Sequence, residues 1–120
     1  MIDFVSKVHS QSTLVVQLSG NLNDSSRDYF FDCIAETIGP DIQHVVIECH
    51  QLGFISSSGL ASLLTARKRA LTKGCKISLT HINSSISQVL EITKLGRILS
   101  VYPTTAEALK SMKGRLACVG

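Results

Sequence analysis

Tryptophan is absent, and four Phe and two Tyr are the only aromatics among 120 residues. So few rings exclude a base-stacking platform or an aromatic ligand cage, and binding through flat protein surfaces is the better expectation. Proline is scarce as well: Pro40 and Pro103 are the only two, each where an element should end, and no Pro/Gly-rich linker, repeat or low-complexity tract occurs. Nowhere do about 18 apolar residues run together. The opening Met1-Ile2-Asp3-Phe4 lacks a basic segment followed by an apolar stretch, so the expectation is a cytoplasmic protein with no direct membrane insertion. The four cysteines, Cys33, Cys49, Cys75 and Cys118, form no Cys-x-x-Cys pair and have no histidine at metal spacing. Buried or free thiols are expected, with no metal site and no cofactor. The balance of 12 basic to 9 acidic residues is scattered apart from Arg67-Lys68-Arg69, which argues against a nucleic-acid partner. Neither Gly-x-Ser-x-Gly nor Gly-x-x-x-x-Gly-Lys is present, so the chain reads as no enzyme, neither a serine hydrolase nor a nucleotide hydrolase.

What the chain does have is enough apolar material for a core, with 44% hydrophobic and 18% charged residues and a mean hydropathy of +0.24. At 13.0 kDa the expectation is one domain over residues 1–112 and a C-terminal tail at 113–120. Phe4 to Val8 and Thr13 to Leu18 read as an antiparallel strand pair, the second closed by the turn residues Ser19-Gly20-Asn21. Phe30, Cys33, Ile34 and Ile38 recur at helical spacing, with Asp24, Ser25 and Ser26 available as caps and Gly39-Pro40 as the stop. His44 to Cys49 is a continuous apolar run, as in a central strand buried on both faces. A loop from Gln51 to Ile55 leads to an amphipathic helix over Ser58 to Lys73, with Leu60, Leu63, Leu64 and Leu71 inward. The alternating Lys76 to Thr80 predicts a strand, Ser85-x-x-Gln88 a capped helix ending near Gly96, Ile98 to Tyr102 a short strand, and Thr104-x-x-Glu107 a last helix carrying Ala108, Leu109 and Met112. Strands alternating with helices give an α/β fold. The expected architecture is a mixed, mostly parallel sheet of about five strands with about four helices packed against it.

Such sheets place function in loops at the carboxyl ends of strands, here Ser56-Ser57-Ser58-Gly59. Three hydroxyls at a helix start face unsatisfied backbone N–H groups and the positive end of the dipole, where phosphate is electrostatically welcome. A helix cap at Ser57 or Ser58 is the plain structural alternative. Several segments along the chain add a resemblance. Val45-Val46-Ile47-Glu48 followed by Leu52-Gly53-Phe54-Ile55-Ser56-Ser57-Ser58-Gly59-Leu60 resembles the STAS domain of anti-sigma factor antagonists, as do Leu18 to Asn23, Gly74 to Leu79, Leu90 to Leu99, Tyr102-Pro103 and Ala106 to Leu109.

The resemblance implies a partner-switching adaptor. It would bind an anti-sigma factor of the serine-kinase type, be phosphorylated on Ser57, and be restored by a metal-dependent serine phosphatase. Ser56, Ser58, Gly59, Ser62, Thr65, Asn21 and Asn23 would contribute to partner binding. Where the family carries acids, this chain has Ser56 before the acceptor, Asn23 in the early turn and Glu48 on the central strand, and Ser56 becomes a second candidate acceptor. A different use of the same fold, as an unphosphorylated regulatory subunit of a membrane transporter of lipids or anions, is the alternative. The dispersed His9, His44, His50 and His81 read as ordinary surface or strand residues, and Cys49 as a buried thiol with its pKa raised. Oligomeric state stays open.

Overall fold

The structure is a computed structural model describing residues 2–10 and 12–111. The expected C-terminal tail at 113–120, Met112 and Cys118 lie outside the described residues. Five strands, β1 (Ile2–Val8), β2 (Thr13–Leu22), β3 (His44–Ile55), β4 (Lys76–Thr80) and β5 (Ser100–Tyr102), form one sheet in sequence order. β1 and β2 pair antiparallel, and the remaining three neighbouring pairs are parallel. Three crossovers carry the helices α1 (Arg27–Thr37), α2 (Ser57–Thr72) and α3 (Ser84–Thr93), and a fourth helix, α4, occupies 105–111. This is the expected mixed α/β sheet. Right-handed crossovers that step steadily in one direction leave α1, α2 and α3 on the same face.

That face carries the main core. Phe30 and Ile34 of α1, Leu60, Leu63, Ala66 and Ala70 of α2, and Ile86 and Leu90 of α3 pack on Val16, Leu18, Val45, Ile47, Ile77 and Leu79. Burying a side chain such as Phe30 contributes roughly 1.5–3 kcal/mol, and its ring also meets Phe4 edge-on at 6.3 Å. On the opposite face His44, Val46, Ser78 and Thr80 are buried too, with His44 Nε2 and Ser78 Oγ 2.7 Å apart. α4 lies over this second face, since Thr105 hydrogen-bonds Thr80 and Glu48. β3 is therefore covered on both sides, as its unbroken apolar run requires.

Five local expectations are corrected. Ser19-Gly20-Asn21 is no turn, and Gln51 to Ile55 is no loop: both continue as paired strand, Asn21 opposite Phe54 and Leu22 opposite Ile55. Parallel pairing gives these polar stretches hydrogen-bond partners that local chemistry could not reveal, and register shifts on either side of Ser19-Gly20, with Gly20 at φ 99°, absorb two extra residues of β3. In α2 the buried stripe is Gly59, Leu60, Ser62, Leu63, Ala66 and Ala70; Leu60 and Leu63 are inward as expected, while Leu64 is half-buried and Leu71 is exposed. Small residues let the helix approach its neighbours closely, so they and not the outer leucines define its inner face. α3 is capped by Asn83, whose Oδ1 accepts from Ile86 N at 2.9 Å, and not by Ser85. Finally, α3 ends at Lys94 in the left-handed conformation, φ 60°, before a short 3-10 turn (Leu95–Arg97), rather than at Gly96.

A left-handed conformation costs a non-glycine residue roughly 1–2 kcal/mol, and the Lys94 side chain is exposed. Lys94→Gly should raise the unfolding free energy by about 0.5–1 kcal/mol, the conformational gain being partly offset by the greater freedom of glycine in the unfolded chain. Urea denaturation checks this, and a destabilised variant refutes it.

Candidate functional site

The segment Ser56 to Gly59 sits where β3 ends and α2 begins, and each residue has a different job. Ser56 is the N-cap: its Oγ accepts from Gly59 N at 3.0 Å, and its carbonyl accepts from Leu60 N at 2.8 Å. Ser56 N in turn donates to Leu22 O at 2.9 Å, tying the loop to the end of β2. Ser58 Oγ lies 3.0 Å from Ser56 Oγ, so two of the three hydroxyls are engaged with one another. The capping alternative therefore holds for Ser56, a residue to which the sequence had assigned a possible acceptor role, and not for Ser57 or Ser58. Ser57 is exposed, and its hydroxyl has no hydrogen-bond partner among the described residues. Gly59 is required by space, because a Cβ there would stand 2.3 Å from Leu22 O and 2.9 Å from its carbonyl carbon.

Register brings the early β2 segment to the same place. Asn21 is exposed opposite Phe54, and Asn23 follows Leu22 at the start of the connection to α1. Asn23 Oδ1 accepts from Ser25 N at 3.1 Å and Ser25 Oγ at 2.8 Å, an Asx turn. Ser26 Oγ donates to Asn21 O at 2.7 Å and accepts from Asn23 N at 3.0 Å. A neutral asparagine thus builds this corner with local hydrogen bonds. Thr65 is exposed, as expected, and its Oγ1 donates to Ala61 O at 3.0 Å. Ser62 corrects the expectation: it is buried, its Oγ donating to Gly59 O at 2.6 Å, because the inner stripe of α2 includes it.

Two features escaped the sequence reading. Phe54 is 53% exposed at the end of β3, beside the serines. A groove of about 190 Å³ also runs from Ser58 past Ala61, Ser62 and Thr65 to Arg27, Asp28 and Phe31 of α1. Helical spacing groups Arg27, Asp28 and Phe31 on one side of α1, but only the packing of α1 against α2 brings them to the loop.

Glu48 lies on the other face of β3. Its carboxylate accepts from Gln17 Nε2 at 3.2 Å and from Thr105 Oγ1. Partial burial pushes its pKa up, but the hydrogen bonds from Thr105 and Gln17 and the nearby His50 and His81 outweigh this and hold it below the ordinary value. The imidazoles of His50 and His81, distant in sequence, meet edge-on at 5.6 Å, and His81 Nε2 accepts from Thr105 N at 3.4 Å. Glu48 thereby fastens α4 to the sheet, away from the serines. Cys49 and Cys75 are buried, and burial drives their thiols up to about 12 and about 11. Thiolate chemistry is suppressed at both. Among the described residues no cluster of His, Cys, Asp and Glu could hold a metal ion, and no helix is long and apolar enough to cross a membrane.

Two predictions follow from this geometry. Gly59→Ala should destabilise the fold by about 3 kcal/mol, the upper range for overpacking, because the clash is with backbone that cannot rotate away. Ser56→Ala should cost only about 1 kcal/mol through loss of the cap. Equal effects in chemical denaturation would contradict this ranking. Because Glu48 has a depressed folded-state pKa, its charged form contributes stability above the ordinary value of 4.5, and that contribution is lost as pH falls through the folded value. The stability difference between wild type and Glu48→Gln should therefore shrink as pH drops from about 5 toward 3. A difference constant across that range would show that the carboxylate bonds carry no linkage.

Comparisons with known proteins bear on the family and the fold. The chain is 27% identical over 106 residues to an anti-sigma F factor antagonist of Paenibacillus polymyxa, spanning 88% of this chain and 91% of that one. Its fold matches the crystal structure of an anti-sigma factor antagonist from Mycobacterium paratuberculosis with a TM-score of 0.83 and 20% identity, covering 94% and 95% of the two chains. A sulfate transporter family protein from Wolinella succinogenes shares the fold at a TM-score of 0.75 and 14% identity, covering 89% of each chain. The sequence profile of the STAS domain matches residues 4–108, which takes in the sheet from Phe4 onward, the serine loop and the start of α4, and the chain belongs to the STAS domain family.

Proposed function

We propose that this protein is an anti-sigma factor antagonist that acts as a partner-switching adaptor, with Ser57 as the phosphorylated residue. The supporting observation is the division of labour in the loop: Ser56 caps α2, Ser58 bonds to Ser56, and Ser57 alone is exposed with an uncommitted hydroxyl. The relative from Paenibacillus polymyxa, named as an antagonist of an anti-sigma factor, spans nearly the same length and supplies the class of partner. An anti-sigma factor of the serine-kinase type would bind the surface around the loop, transfer phosphate to Ser57 and release the adaptor. A metal-dependent serine phosphatase would reset it. The protein is then a substrate of enzymes and not an enzyme.

The chemistry is consistent with tolerance of the modification by the fold. Phosphate adds about 1.5–2 negative charges, and the first turn of α2 offers its dipole and its free N–H groups to offset them. The same charge is costly inside a closed protein interface, where it is desolvated and meets whatever the partner presents. The scaffold stays in place while the contact surface changes sign. Ser56 replaces the acid found there in the family and keeps the capping bond without adding charge. Asn21, Phe54, Ser58 and Thr65 complete the contact surface of this reading.

The test uses the kinase-type anti-sigma factor from the same cells, with ATP and ADP present in turn. Ser57→Ala should bind it as wild type does, and Ser57→Asp should bind at least about tenfold more weakly, a loss of about 1.4 kcal/mol. Phosphosite mapping on protein from growing and stressed cells should find phosphate on Ser57 and none on Ser56. Equal binding by both variants, with all three serines unmodified in every condition, would overturn the switch and leave a constitutive binding module.

A further inference from the structure

A second concave site lies at the far end of the α1–α2 pair. Phe31, Ile34, Ala35 and Ile38 of α1 and its C-cap face Ala66 and Ala70 of α2 across a cleft of about 240 Å³. Among the described residues its only charged lining side chains are Arg69 and Lys73, and no acid lines it. On α1, Asp32 and Glu36 are turned away, about 100° and 140° around the axis from Phe31 at roughly 100° per residue, and Asp28 lies one turn back, in the groove by Ser58. Arg69 stacks its guanidinium on the Phe31 ring at 4.7 Å, which fixes a cation at the mouth. Among the described residues neither Arg69 nor Lys73 forms an ion pair. Both helices also end here, and their C-terminal carbonyls disfavour an anion. Binding of an anion would depend on these two side chains.

An apolar slot with two unpaired cations at its rim is complementary to an amphipathic anion. We infer that this cleft binds a linear monocarboxylate of about eight carbons, its chain between α1 and α2 and its carboxylate on Arg69 and Lys73. The length is set by volume, since 240 Å³ holds on the order of eight water-sized groups at about 30 Å³ each, with the two carboxylate oxygens outside on the cations. The planar guanidinium of Arg69, already held flat by Phe31, presents its remaining N–H donors to a carboxylate with little further loss of freedom. The site lies roughly 14–24 Å along α2 from Ser57, at 1.5 Å per residue, and does not depend on the role of that serine.

Sodium octanoate titrated into the full chain, followed by amide shifts in two-dimensional NMR and by calorimetry, tests the inference. The expected result is saturable one-to-one binding with a Kd on the order of 1 mM or tighter. Shifts should be confined to residues 31–38 and 66–73. Octan-1-ol, which lacks the charge, should bind at least about tenfold more weakly. Arg69→Gln, at an exposed position, should weaken octanoate by a similar factor with the melting temperature unchanged. Ala35→Phe, also exposed, should fill the slot and abolish binding. The proposal is overturned by shifts that never saturate, by equal affinity for the alcohol, or by wild-type affinity in Arg69→Gln.

Discussion

The contact on which the loop and the sheet both depend is the one between Gly59 and the backbone of Leu22. The first turn of α2 presses against the last residue of β2 with no space for a Cβ, and Ser56 N donates to the same carbonyl. That contact fixes how far α2 can retreat from the sheet, and it sets the height at which Ser57 stands above it. It also locks β2, because Leu22 is wholly buried and pairs with Ile55 immediately before the loop. One close approach therefore ties the early Gly20-Asn21-Leu22 segment to the serine segment more than thirty residues later.

With that frame rigid, the hydroxyls divide by geometry and not by chemistry. Serine is the same nucleophile at 56, 57 and 58, yet the cap and its neighbour are held in hydrogen bonds. The middle one projects into solvent from the first turn of the helix. A charge added there changes the surface without disturbing the core, which is the physical requirement of a reversible binding switch. The loss of acids around the loop has a structural counterpart: Asn23 folds its corner through an Asx turn, and Ser56 retains the capping bond. Glu48 serves elsewhere, holding α4 to the opposite face through Thr105.

The two ends of α2 have different characters. Its N-terminal turn is polar, small-residued and pinned to β2, while its C-terminal half carries Arg69 and Lys73 beside an apolar cleft against α1. α1 forms part of both environments, with Arg27 and Phe31 lining the groove by Ser58 and Phe31 and Ile38 lining the cleft. Phe31 touches both, so a ligand wedged between the helices at one end bears on the side chain that floors the other.

Sequence alone determined the element order, the antiparallel start of the sheet, the doubly buried central strand and the position of the serine loop. These follow from hydrophobic period, capping residues and chain order, all of which are local properties. The last helix was legible for the same reason, Thr104 Oγ1 accepting from Glu107 N at 3.2 Å as its spacing implied. Tertiary structure decided that Ser19 to Asn21 and Gln51 to Ile55 are paired strand, because their backbone partners lie some thirty residues apart. It likewise buried Ser62 and exposed Leu71, since the inner face of α2 is shared by Leu60 and Leu63 with small residues that let the helix approach closely. Which of three identical hydroxyls is free, and that His50, His81 and Glu48 meet, were decided the same way. Each depends on the register and spacing of elements distant in the chain, which no local pattern encodes.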